Sequence, residues 1–108
     1  MKLIIAIVQN RDANAAIKAL SCACHVVTRL SSLGGFLNER NTTLLIGADD
    51  TRVEEIINLL RKHCKRRTRT KAVPITGIAD TISRHGYIEV EVGGATVFVL
   101  NIEHFEQI

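Results

Sequence analysis

Aromatic residues are scarce here: the 108-residue sequence has no tryptophan, one tyrosine and three phenylalanines. The core must therefore be aliphatic, and a nucleic-acid groove in which bases stack on interleaved aromatic side chains is not expected. Proline occurs once, and 46% of the residues are hydrophobic, which excludes a disordered or low-complexity chain. The three cysteines, Cys22, Cys24 and Cys64, are an odd count without a disulfide framework and fit a reducing, cytoplasmic compartment. Long apolar runs are also missing. The run Leu3 to Val8 ends in Gln9, Asn10, Arg11 and Asp12, too short for an export signal, and no other run approaches the roughly 18 residues of a membrane span.

Catalytic patterns are absent as well. Ser83, Arg84 and His85 stand in an irregular stretch with no orienting carboxylate, and the neighbouring acids Asp49 and Asp50 read as helix caps. No enzyme is expected.

What is present describes one domain, residues 1–108, able to bury roughly two-thirds of its unfolded surface. The net charge of +3 is unevenly spread. Arg61, Lys62, Lys65, Arg66, Arg67, Arg69 and Lys71 supply seven of the 14 basic residues, leaving seven against 11 acids, or −4, elsewhere. Such a basic segment is either a solvated helix end, where cations complement the dipole, or a local anion or partner site.

The isoleucine-rich run Lys2 to Val8 predicts a strand buried on both faces. Asp12 is placed to cap a helix from Ala13 to about Cys24, with Ala16, Ile17, Leu20 and Cys24 on one stripe. Val26, Val27 and Thr28 mark a second strand, His25 to Leu30, and Thr42 to Ile46 a third. Thr51 and Glu54 stand at capping-box spacing before a helix from about Thr51 to Lys65, with Val53, Ile56, Ile57, Leu60 and Cys64 inward. Residues 66–86 lose periodicity and carry Pro74, Gly77 and Gly86, which predicts a long mobile loop. Two β-rich runs, Tyr87 to Val92 and Ala95 to Asn101, flank Gly93-Gly94 as a hairpin would.

This order gives an α+β fold, a ferredoxin-like βαββαβ sandwich with an extra C-terminal hairpin strand. Two helices cover one sheet face, and the continuous Leu, Ile and Val content of the strands leaves the other in need of a partner, most simply further copies of the chain. Cys22, Cys24, His25, His63 and Cys64 include metal-ligand types. Antiparallel helices would nevertheless put Cys24 and Cys64 at opposite ends, so no metal site is expected and the cysteines read as core or surface residues.

The opening MKLIIAIVQ, the central Gly34-Gly35-Phe36-Leu37 followed by Asn41-Thr42-Thr43 and Gly47, and the closing EVEVGGATVFVL resemble the cyclic-di-AMP receptor family of PII-like signalling proteins. The resemblance implies a cytoplasmic homotrimer whose sheets face inward and whose subunit clefts hold the nucleotide. It implies no cofactor and a target protein that the sequence does not name; the long unpatterned stretch beside a pocket-like turn adds the expectation that the 66–86 loop orders over the ligand and so signals. Carried onto matching positions, it implies ligand contacts from Thr28, Gly35, Phe36, Leu37, Asn41, Gly47, Phe98 and Gln107. Thr28 and Asn41 offer donors and acceptors, Gly35 and Gly47 allow close backbone approach, and Phe36 and Leu37 can pack on a purine face. Cys24 and Val26 stand where that family carries an Asn and an Arg. With the basic run Arg61 to Lys71, this makes ATP or ADP the alternative ligand, and a ligand-free trimeric interaction module the alternative role.

Overall fold

Every second side chain of the first strand is fully buried: Ile4, Ala6 and Val8 are at most 1% exposed, whereas Leu3, Ile5 and Ile7 are only partly covered. The continuous apolar run therefore serves two faces of one sheet, and among the described residues only one of those faces is fully packed. The computed structural model describes residues 1–32, 41–74 and 85–108. In chain order the elements are β1 (Lys2–Gln9), α1 (Asn10–Cys22), β2 (Val27–Ser32), β3 (Asn41–Ala48), a 3-10 turn (Asp50–Arg52), α2 (Val53–His63), β4 (Arg66–Pro74), β5 (His85–Gly93) and β6 (Ala95–Asn101).

Four strands form an antiparallel sheet in the order β2-β3-β1-β6. With both helices on one face this is the ferredoxin-like arrangement, and the α+β class expected from the sequence holds. The core lies between sheet and helices. Ile4, Ala6 and Val8 of β1 and Leu44, Ile46 and Ala48 of β3 meet Ala13, Ala16 and Leu20 of α1 and Ile56 and Leu60 of α2. At about 2 kcal/mol for each fully buried aliphatic side chain, this layer dominates the stability of the domain.

The opposite face is apolar too. The register aligns Thr28, Leu45, Ile5 and Phe98 in one row across all four strands, with Leu3 and Leu100 in the row beside it. Phe98 and Leu100 remain about half exposed.

Three expectations are corrected. First, Tyr87 to Val92 and Ala95 to Asn101 do flank Gly93-Gly94, but they do not pair as a hairpin. β5 pairs with β4 as a separate two-stranded ribbon, and β6 pairs with β1. Gly93 (φ 87°) and Gly94 (φ 77°) turn the corner between ribbon and sheet, where a Cβ on Gly93 would lie 2.5 Å from the Lys65 carbonyl oxygen.

Second, the loop expected over 66–86 begins as strand: β4 runs to Pro74 and β5 starts at His85. The alternation Arg66-Arg67-Thr68-Arg69-Thr70-Lys71 carries no apolar periodicity because the strand belongs to a ribbon rather than to a packed sheet. The rest of that segment, 75–84, lies outside the described residues.

Third, Asp12 is not the cap of α1. It sits in the helix's first turn, buried, with its carboxylate committed to Arg67. Likewise Thr51 and Glu54 form no capping box: Thr51 lies in the 3-10 turn and α2 starts at Val53 without a side-chain cap.

Candidate functional site

α1 ends in a turn that glycine usually makes. The Cys24 amide donates to the Ser21 carbonyl at 3.0 Å and the His25 amide to the Leu20 carbonyl at 2.9 Å, the paired bonds of a Schellman motif. The residue in the left-handed position is Cys24, at φ 65°, the one non-glycine residue with positive φ among those described. The turn buries the His25 ring and projects Cys24 and Val26 to the surface at the head of β2.

A second layer comes from the start of α2. Arg52 reaches back to α1, donating from Nη2 to the Ala23 carbonyl at 2.8 Å. Its Nε and Nη2 also donate to Glu55 Oε2 at 3.1 and 2.9 Å. The same oxygen accepts from His25 Nε2 at 3.0 Å, which fixes the proton on that nitrogen because a carboxylate only accepts. Arg52 first, then His25, hold the Glu55 carboxyl below its usual 4.5.

Between these groups and the C-terminal tail lies an open cavity of about 470 Å³. Leu3, Val26, Leu45, Ile102 and Phe105 give it apolar walls, and Thr28, Asp49, Arg52, Glu106 and Gln107 polar ones. A volume of this size with a few convergent polar groups suits a nucleoside-sized ligand. Gly47 also lines it, and there the fold does not require a glycine: a Cβ would meet only Met1 Cε, at 4.0 Å. The missing side chain keeps the cavity wall low.

Of the eight residues named from sequence, Thr28, Gly47 and Gln107 therefore come together at this cavity. Asn41 does not. It lies at the other end of β3, in a smaller polar depression of about 150 Å³ with Gln9, Arg66, Gly93, Gly94 and Thr96. Phe98 shares the open sheet face but stands on the strand farthest from Thr28, and it does not line the cavity. Gly35, Phe36 and Leu37 lie outside the described residues.

The basic run is also elsewhere. Arg61 bonds Asn58, Arg66 pairs with Glu91, and Arg67 pairs with Asp12. None of Arg61, Lys62, Lys65, Arg66 or Arg67 lines the cavity. The cysteines are as separated as the antiparallel helices imply. Cys64 is buried within reach of the Asp12 carboxylate at the start of α1, whereas Cys24 follows its end.

Sequence reasoning missed Leu3, Leu45, Arg52 and Phe105. Leu3 and Leu45 were signalled by the continuous apolar runs that leave the second sheet face in need of cover, and Phe105 by being the aromatic residue of the C-terminal tail. Nothing local marks Arg52 as a cavity residue, because the contact that sets it there is with Ala23, 29 residues away.

Comparison with known proteins places the chain beside both a family model and a solved structure. The family model described as cyclic-di-AMP receptor matches residues 1–108, the whole chain. A crystal structure of a functionally unknown protein from Pediococcus pentosaceus ATCC 25745 is similar with a TM-score of 0.73 at 37% sequence identity. That match covers 99% of this chain and 96% of the other. Among the described residues no helix is long and apolar enough to cross a membrane.

Proposed function

Because the chain belongs to the cyclic-di-AMP receptor family, we propose that it is a PII-like, non-catalytic signal-transduction protein that binds cyclic-di-AMP at the clefts of a homotrimer. The observation that carries this reading is the cavity of about 470 Å³ at which Thr28, Gly47 and Gln107 converge between apolar walls. Leu3, Leu45 and Phe105 offer surfaces for a purine, and Thr28 and Gln107 offer the donors and acceptors that orient it.

Two features support assembly with further copies of the chain. The row Leu45, Ile5 and Phe98 is an apolar sheet face left partly open by the described residues, and burying it against other copies is favourable at about 25 cal/mol per Å². In addition, Asn41 and Gly47 stand at opposite ends of β3, six residues or roughly 20 Å apart, so they cannot hold one ligand from one chain. A neighbouring copy that brings its Asn41 end to this cavity completes the site.

The signal leaves through the 66–86 segment, which holds β4 and the first residues of β5; the ribbon these strands form is a sheet of its own, held to the body at its base by the Arg67–Asp12 pair among other contacts. A target protein reads that surface when the nucleotide is bound. Order imposed on such a segment transmits binding without chemistry.

Calorimetric titration with cyclic-di-AMP, ATP, ADP and AMP tests the ligand. Binding of the cyclic dinucleotide, weakened at least tenfold by Thr28→Ala, is the expected result. Heat only from ATP or ADP would move the assignment to a linear nucleotide, and silence toward all four would leave a trimeric interaction module. Hydrogen exchange over 66–86, with and without ligand, tests the signalling element; unchanged protection would remove it from the mechanism.

A further inference from the structure

A nucleotide brings anionic phosphate to a cavity that already presents two carboxylates, Asp49 and Glu106. Among the described lining residues the one arginine or lysine is Arg52. Its guanidinium is fixed on two sides, by the Ala23 carbonyl and by Glu55, through Nε and Nη2. Nη1 has no acceptor among the described residues.

We infer that Arg52 is the specificity-determining cation of this cavity, meeting the ligand's phosphate through Nη1 while Glu55 and the Ala23 carbonyl hold the rest of the fork still. The inference rests on the nucleotide reading above and adds the residue that makes the site select a phosphate over a neutral nucleoside.

Three physical points support it. A charge-assisted bond from guanidinium to phosphate is about twice as strong as a neutral one. Because Arg52 is already bonded on its other edge, little side-chain freedom is lost when the ligand arrives. Glu55 offsets the charge only in part, since the pair is about half exposed and water screens it.

The experiment is titration of cyclic-di-AMP into the wild type, Arg52→Gln and Arg52→Lys at low and high salt, with thermal melting of each protein. Wild-type affinity should fall as salt rises. Arg52→Gln should bind at least tenfold more weakly at low salt and lose the salt dependence, whereas Arg52→Lys, which keeps a cation without the fork, should retain it. The salt slope separates contact from support, since a residue that only tethered α1 to α2 would change melting temperature and affinity without flattening that slope.

Wild-type binding with Arg52→Gln equally tight and equally salt-sensitive overturns this inference and leaves the receptor reading intact. No binding of any adenine nucleotide by the wild type overturns both. If Arg52→Gln melts too low to titrate, Arg52→Lys decides: a lost salt dependence in that variant counts against the inference.

Discussion

Arg67, at the base of the ribbon, grips Asp12, in the first turn of α1, with Nη2 to Oδ2 at 3.1 Å and Nη1 to Oδ1 at 3.2 Å. The same guanidinium donates to Gln9 Oε1 at 3.2 Å, and its Nε is buried without a partner among the described residues. This side chain thus helps to fasten the β4–β5 ribbon to the body. The Asp12 carboxylate is 7% exposed, so it depends on this partner and on its place at a helix N-terminus.

Asp12→Ala should therefore destabilise the protein by about 2 kcal/mol. That is below the usual cost of breaking a buried pair, because water reaches the Arg67 side. Urea unfolding gives the free energy, and faster amide exchange in β4 and β5 would show that the ribbon is what loosens. An unchanged unfolding midpoint would mean that water substitutes fully for the carboxylate.

Cys24 holds a left-handed backbone conformation that costs a residue with a Cβ about 1–2 kcal/mol, of which glycine's greater unfolded freedom gives back about half. Cys24→Gly should stabilise by about 0.5–1 kcal/mol and raise Tm by roughly 2–5 °C. Cys24→Val should lower it. A drop in Tm for the glycine variant would show that the thiol makes a contribution larger than the strain.

Burial pushes the Cys64 thiol up from 9.0 to about 11, with the Asp12 carboxylate adding to the shift. A folded state that keeps its proton while the unfolded chain loses it becomes less stable as pH rises, here between about 9 and about 11. Cys64→Ala should flatten the alkaline stability curve in that window. At pH 8 a thiol reagent should label the exposed Cys22 and Cys24 rapidly and Cys64 only on unfolding. Three thiols reacting at one rate in the native protein would contradict the packing described for α2.

Ile5 and Ala6 are adjacent in β1 yet face opposite ways. Ile5→Lys should leave a folded chain by circular dichroism while breaking the proposed trimer in light scattering. Ala6→Lys should prevent folding, because no water reaches that site. A trimer that survives Ile5→Lys would place the subunit contact on another surface.

The amino-acid sequence by itself determined the elements of the main sheet and both helices. Local rules suffice for these: apolar residues at period 3.6 in α1 and α2, unbroken aliphatic runs in β1, β3 and β6, and glycine where the chain turns. It also carried the family through three separated segments, and the resemblance they establish named Thr28, Gly47 and Gln107 together. Tertiary structure decided what pairs with what. Gly93-Gly94 signals a reversal in either case, and only the pairing of β5 with β4 and of β6 with β1 makes it a corner between two sheets. Asp12 reads as a cap until Arg67, 55 residues away, claims its carboxylate. Arg52 acquires a place in the cavity because folding sets the start of α2 against the end of α1. Periodicity records how a residue relates to its own element, whereas a cavity is made where elements distant in sequence meet, and that meeting leaves no local trace.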